Sequence, residues 1–468
     1  MQTNYDLVVI GAGPGGLAAA VSARSAGLSV LLLNEQAHLG GQIYHSLETI
    51  SEQNKAILGK DFQYGEQLIS EFKTSGALYR PNTNVVSMEP GKSVCCLSGE
   101  KTFEVLAKQV IVSAGAMERP VPVPGWTLPG VMGAASVDIL LKQSDVIPSG
   151  RVVFAGAGPL MLNVACHLID CGVKIEAIID TSQFKNMLAA IPHGLGALSN
   201  SGLIIKGLIM LAKIRKAGIP IIKGAGKIRA EGSDRLESVR FEHKGVSKEL
   251  TADLLLLHEG VIPNTQMSRL TGCDHEWYTP HQYWKPLIDK WGKSSVDSIA
   301  LVGDCTGIFG AKAAEYSGHI AGVNAAFKNG NLSRTQRDKA AEPYFNSRKK
   351  EIKIRPFIDT IYLPNSDMII PEDPDTIVCR CEEVRLSEIL EAVDTGYTKP
   401  STIKNRTRSG MGRCQGRMCG PIVTQILARH LSLTPEQIGY YHIRSMIKPV
   451  TLSQLGNMET PQEQQVKE

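Results

Sequence analysis

The sequence lacks the marks of several protein classes. Aromatic residues make up only 6% of its 468 positions, and a net charge of +4 with no long run of one sign excludes nucleic acid as a partner. Ten cysteines in so long a chain do not make a disulfide-stapled scaffold. No apolar run reaches the roughly 18 residues of a membrane span. The greasiest stretch, "GLIIKGLIMLAKI", is interrupted by Lys206 and Lys213. Met1 leads within a few residues into an apolar strand, which leaves no room for a signal peptide, so a cytoplasmic, thiol-reducing setting is expected. The length predicts two to four domains, each able to bury its own core. Plentiful glycine and alanine suit α/β layers with tight turns.

Asp6 to Ile10 reads as a short apolar strand. Gly11, Gly13 and Gly16 form G-x-G-x-x-G at its end, with Pro14 and Gly15 inside the turn. An Ala-rich helix to Gly27 and a second strand, "LSVLLL", complete the order strand, glycine turn, helix, strand. Gly11 permits the tight turn, Gly13 admits a pyrophosphate, and Gly16 lets helix and strand pack closely. The helix N-terminus supplies N–H groups to the phosphates. A carboxylate should end the second strand and bind ribose hydroxyls. Counting places Asn34 in that slot and Glu35 one residue later; both are candidates, Glu35 slightly ahead.

Three further stretches belong with this turn. "GGQIY" at 40–44 contains Gly41 and Gln42, and "VIVSAGA" at 110–116 is a strand ending at Ala114 and Gly115. "SIALVGDC" at 298–305 ends a strand in Gly303 and Asp304, before the helix "GAKAAEYSGHIAGVNAA". Together they resemble the two-dinucleotide-domain flavoproteins that include glutathione and thioredoxin reductases. That resemblance implies FAD, with Asp304 on the flavin ribityl chain. Asp304 also reads as a helix cap, and one role does not exclude the other. The FAD domain is then discontinuous, residues 1–120 plus 270–345, around a second nucleotide-binding domain at 121–269.

In that second domain, "GRVVFAGAGPLMLNVACHLIDCGVKIEAIID" at 150–180 repeats the pattern, but Met161 stands where the third glycine belongs. A bulky side chain there pushes the helix off the strand and narrows the phosphate approach. NAD(P) is therefore doubtful; ATP, another nucleotide or no ligand remain as occupants. His258 and Glu259 in "LLLLHEGVIPNTQ" read either as acid and base or as polar residues ending a buried strand, so no catalytic residue is assigned. The redox disulfide of those flavoproteins is missing, since neither C-x-x-C nor C-x4-C occurs before residue 414. Cys95 and Cys96 are adjacent, and Cys166, Cys171, Cys273 and Cys305 are scattered as small core residues are.

After a linker at 346–374, a small domain at 375–468 carries four more cysteines. "VCRCEEV" holds Cys379 and Cys381; "RCQGRMCG" holds Cys414 and Cys419. Each pair precedes a helical pattern, so four thiolates can converge. Zinc favours two to four residues between paired cysteines, and C-x-C falls outside that spacing. From Lys399 to Arg417 the basic residues Lys399, Lys404, Arg406, Arg408, Arg413 and Arg417 meet no acid, which suits an anionic [2Fe–2S] core or a docking face. Zinc and a metal-free tail remain the alternatives.

The tail resembles the bacterioferritin-associated-ferredoxin-like [2Fe–2S] domain, although the second pair there is often C-x-x-C. With "GGQIY", "ERPVPVPGWTLPGVM", "HEGVIPNT", "VCRCEEV" and "GMGRCQGRMCGP", nearly the whole chain resembles the FAD-binding A-subunit of opine oxidases. Subunits of D-hydroxyproline dehydrogenase and hydrogen cyanide synthase are close to that group. The fold class implied is α/β: a glutathione/thioredoxin reductase-like flavoprotein with two dinucleotide domains and a small C-terminal helical iron–sulfur domain. The resemblance implies three partners: a D-amino-acid-oxidase-like FAD subunit, a small third subunit, and a quinone or cytochrome chain as acceptor. It also implies a membrane-associated or soluble complex in the cytoplasm; the former would hold the chain at the inner face of the membrane. Two other readings stay open: a self-contained NAD(P)H-dependent reductase feeding a ferredoxin or quinone, and a nucleotide-sensing scaffold subunit.

Overall fold

The computed structural model describes residues 4–198 and 200–458. The first sheet contains β1 (Asn4–Ile10), β2 (Val30–Leu33), β3 (Leu78–Arg80), β4 (Asn84–Glu89), β5 (Ser93–Ser98) and β6 (Lys101–Val112). Their order is β3-β2-β1-β6-β5-β4, and the strand Ile299–Leu301 pairs in parallel with β6. β1 lies parallel to β2 and β6, and Leu7, Val8 and Val9 are wholly buried. Burial on both faces is why this strand reads as a continuous apolar run. Helix α1 (Pro14–Ser25) follows, with proline in its first turn, where no N–H is needed.

The second unit repeats the plan. β7 (Val131–Gly133), β8 (Val152–Gly156), β9 (Ile175–Asp180), β10 (Ile221–Lys223) and β11 (Leu254–His258) form a parallel sheet in the order β10-β9-β8-β11-β7. Helix α2 (Pro159–Asp170) connects β8 to β9, and α3 (Phe184–Ala190) and α4 (Ser201–Lys216) lie between β9 and β10.

Helix α5 (Ala311–Lys328) brings the chain back onto α1. A Cβ added at Gly318 would collide with the carbonyl oxygen of Gly15, and one at Gly322 with that of Ala19. The two helices therefore meet backbone to backbone, and only hydrogen atoms at these positions allow it. This contact joins pieces some three hundred residues apart into one unit, as Ser22 Oγ and His319 Nδ1 also do at 2.7 Å.

The segment expected as a linker is mostly helical. Helix α6 (Arg334–Ile352) opens with a Ser333–Gln336 capping box, and α7 (Arg355–Ile361) follows directly. Met368 and Ile369 then bury in the core of the second unit. The cysteine domain holds helices α8 (Leu386–Asp394), α9 (Pro400–Thr407) and α10 (Cys419–Leu431) around its own core. Ile443 packs against both that core and the β1–β6 sheet; beyond it the chain leaves the core, Ile447 buries on the sheet, and Ile447 N donates to Val86 O at 2.9 Å. The expected domain 375–468 thus divides after Ile443, because the apolar residues beyond it pack on the first sheet; its positions 459–468 lie outside the described residues.

The α1–α5 contact admits no side chain. Gly318→Val should lower stability by about 1–3 kcal/mol or more, read as a fall in the melting midpoint by circular dichroism.

Candidate functional site

The expected FAD residues gather at the C-terminal ends of β1, β2, β6 and the strand Ile299–Leu301. Gly11 has φ +100, and a Cβ there would collide with the Ser113 carbonyl; a Cβ on Gly16 would collide with the Gly11 carbonyl. Gly13 differs. Its nearest neighbour for an added Cβ is the Gly41 Cα at 3.9 Å, so space is left open above the turn. Gly40 N donates to Ala12 O at 2.9 Å, folding the Gly41–Gln42 loop over that space. Pro14 and Gly15 are buried at the start of α1, while Ala114 and Gly115 stay partly accessible beyond β6.

The two ribose candidates separate. Asn34 is buried, its Oδ1 accepting from Ala12 N at 3.3 Å and its Nδ2 donating to the carbonyls of Gln36 and His38, each at 3.0 Å. That side chain organises the loop. Glu35 points outward and meets Lys448 from the C-terminal tail. Asp304 accepts from Phe309 N at 3.1 Å and Gly310 N at 3.3 Å, which caps the turn leading into α5. Burial raises its carboxyl above the ordinary range, and those two N–H groups oppose the shift.

In the second unit the corresponding turn meets side chains of its own chain. Met161 is buried in the core beneath it. A Cβ on Gly158 would sit 2.9 Å from the imidazole of His258, which lies against the glycine turn. His258 is held by Glu118 Oε1 at 2.6 Å from Nδ1, and Glu118 also accepts from Ala135 N. Glu259 Oε1 accepts from Thr181 Oγ1 at 2.6 Å, and its Oε2 accepts from Asn365 N at 3.0 Å. His258 and Glu259 are thus buried and partnered inside the chain, as polar residues closing a strand end. Glu118 opens the "ERPVPVPGWTLPGVM" stretch, where nothing in the sequence assigns it a role, and Asn365 carries no motif that would have singled it out.

The four tail cysteines come together as two pairs. Cys379 hydrogen-bonds Cys419, and Cys381 hydrogen-bonds Cys414. Cys379 is drawn down to about 6, first by the Cys419 hydrogen bond, while Cys419 is pushed well up by the same contact and by burial. Among the described residues no three Cys, His, Asp or Glu side chains gather as a single metal ion would need. Two facing thiol pairs fit a binuclear core, in which each iron takes two thiolates. Gly412 lies so close to Cys381 that an added Cβ would collide with it. Cys419 begins α10, where the helix N-terminus favours a thiolate. Sequence reading missed Tyr441, whose hydroxyl lies 3.8 Å from Cys419 Sγ and 3.0 Å from Ser409 Oγ. Of the basic residues nearby, Arg408 is paired with Glu382 at 2.9 Å.

A single turn touches both sites. Asn264 N donates to Gly115 O at 3.0 Å, and Gln266 Nε2 donates to Gln415 O at 2.8 Å, next to Cys414. Arg269 lies over the rings of Trp284 and Tyr440, 5.1 and 4.1 Å from their centroids, and locks the cysteine domain to this turn.

The open glycine cradle, the capped carboxylate and the paired thiols define a flavoprotein oxidoreductase with a second, iron–sulfur centre. The chain belongs to the pyridine nucleotide-disulphide oxidoreductase family, whose model matches residues 5–330, and a BFD-like [2Fe-2S] binding domain matches residues 377–429. It is 37% identical to the opine oxidase A-subunit of Rhizobium meliloti, over 97% of this chain and 88% of that one. It is 30% identical to the hydrogen cyanide synthase subunit HcnB of Pseudomonas protegens, over 95% of this chain and 96% of that one. The L-proline dehydrogenase structure from P. horikoshii shares the fold with a TM-score of 0.71 at 20% identity, covering 97% of this chain and 80% of that one. The cofactors are FAD and a [2Fe–2S] cluster.

Two outcomes follow from this geometry. Gly13→Glu should purify without flavin absorbance and melt like flavin-stripped wild type, because the added side chain enters the open cradle and only the stabilisation by bound flavin is lost. Burial holds the Glu259 carboxyl at about 7, so between pH ~5 and ~7 the folded chain keeps a proton that the unfolded chain has lost. Stability should fall as pH rises through that window, by about 3 kcal/mol in all. Glu259→Gln should flatten the decline, measured as melting midpoints at pH 5 and pH 8.

Proposed function

We propose that this chain is the electron-transfer subunit of a heteromeric dehydrogenase acting on the CH–NH or CH–NH2 group of an amino or imino acid. Opines, D-hydroxyproline, proline and glycine are the substrate types in view. A partner flavoprotein resembling D-amino-acid oxidase removes hydride from the substrate, and this chain receives the electrons and passes them to a quinone or cytochrome chain. A small third subunit completes the assembly, which sits in the cytoplasm, at the inner face of the membrane.

The observation that carries this reading is the turn at 264–266, hydrogen-bonded at one end to Gly115 and at the other to Gln415. It holds the flavin strand and the cysteine loop in one rigid frame. FAD takes two electrons and releases them singly, and a [2Fe–2S] cluster stores one at a time. The Gly11–Gly16 turn and the α1 N-terminus bind the pyrophosphate, Glu35 the ribose, and Asp304 the ribityl chain. Cys379, Cys381, Cys414 and Cys419 are the cluster ligands. Tyr441 and Ser409 lend hydrogen bonds toward Cys419 and so steady its negative charge. The His258 ring lying against Gly158, with Met161 in place of the third glycine, supports electron entry from a partner rather than from NADH.

Anaerobic purification should give about two iron and two acid-labile sulfide per chain. Cys414→Ser should lose both and slow reduction of an artificial acceptor while FAD stays bound. Excess NADH should bleach the flavin slowly and without saturation. Stoichiometric zinc, or fast saturable bleaching by NADH, would defeat the reading.

A further inference from the structure

The apolar stretch that Lys206 and Lys213 interrupt folds, with the residues before it, into α3 and α4, and the redox sites make no use of it. Helix α4 carries apolar residues on opposite sides, with Lys206 and Lys213 on one flank. Its inner side packs Ile214 into the core of the second unit, against α2. Its outer side is also apolar: Ile205, Leu208 and Ile209 are 54%, 61% and 61% exposed. With Ala212 they follow the i, i+3, i+4, i+7 spacing of a single helix face. A second such stripe lies just upstream. Phe184, Met187 and Leu188 on α3, with Ile191 after it, repeat the same spacing and are each at least half exposed. Large aliphatic side chains left in water in two regular stripes mark a surface that is covered in use.

The charge around these stripes identifies the covering surface. Between Asp180 and Glu231 lie fifty residues with eight Lys or Arg and no Asp or Glu. Lys206 and Lys213 are neutralised by Asp61 and Asp170 of neighbouring elements. Lys185, Arg215, Lys216 and Lys223 are exposed, with no ion pair shown among the described residues. A second copy of this chain would set like charges against one another. A protein interface core is rich in aromatic residues, Met and Arg and poor in Lys, whereas these stripes are mostly Leu and Ile, with one aromatic residue, and are flanked by lysine. Aliphatic and Phe side chains flanked by lysine suit the boundary between headgroups and acyl chains of an anionic bilayer. No described helix is long and apolar enough to cross a membrane, so the contact lies in the plane of the surface.

We propose that the outer faces of α3 and α4 form a docking surface for an anionic lipid bilayer. It rests on no part of the redox reading above, and it places this chain, rather than a partner alone, on the membrane. The test is co-sedimentation of the full chain, with its cofactors bound, against vesicles of phosphatidylglycerol and phosphatidylethanolamine and against vesicles of phosphatidylcholine. Binding to the anionic vesicles should be about ten-fold stronger or more, and should weaken as salt is raised. The exposed double variant Leu208→Glu/Ile209→Glu, and separately Phe184→Asp, should each lose about ten-fold or more of that binding. Flavin content and melting midpoint should stay unchanged in both, which separates lost docking from lost folding. Equal binding to both vesicle types, or unchanged binding in the double variant, would overturn the proposal. So would an absence of vesicle binding together with loss of a co-purifying protein in the double variant, which would assign the face to a protein partner.

Discussion

The structure depends on the approach of two helix backbones. Gly318 and Gly322 on α5 let that helix lie directly against Gly15 and Ala19 on α1. Because α5 follows Asp304 and α1 follows the glycine turn, the same contact sets the carboxylate at a fixed distance from the phosphate cradle. It also fixes where the second nucleotide unit leaves and re-enters the first sheet. A methyl group at either glycine would force the helices apart and move both parts of the site together.

The second unit keeps the dinucleotide-domain fold while the His258 ring lies against its glycine turn. His258 pairs with Glu118, which accepts from Ala135 N, and Glu259 is tied to Thr181 and Asn365. Every one of these residues has a partner within the chain, so the unit needs no ligand to satisfy them. What it supplies is a platform: Met418 from the cysteine loop packs on its core, and Trp126 Nε1 donates to Ile377 O at 2.7 Å. The cysteine domain is held between two larger bodies rather than tethered to one.

The tail shows why a carboxyl-terminal segment reaches so far. After Ile443 the chain runs back over the first sheet until Lys448 meets Glu35, 413 residues earlier. Asn84 shares the same ammonium at 2.9 Å. Glu35, one of the two ribose candidates, is thus paired with a cation from the far end of the chain, and the cysteine domain is clamped on both sides.

By itself the sequence determined the two glycine turns, the Gly303–Asp304 strand end and the four-cysteine spacing. Each is local: a turn or a helix start needs particular residues within a few positions, so the pattern survives in one dimension. The helical character of 346–374 was not legible, because its charged surface reads as a linker until Met368 and Ile369 find a core to enter. Nor was the division between Asn34 and Glu35, since adjacent residues differ only in which way the loop turns them. The Cys379–Cys419 and Cys381–Cys414 pairing, the Tyr441 hydroxyl beside Cys419 and the turn joining Gly115 to Gln415 were decided by tertiary structure alone. These contacts join residues far apart in the chain, and such a contact leaves no periodic trace: its free energy comes from surfaces that exist only after each unit has folded.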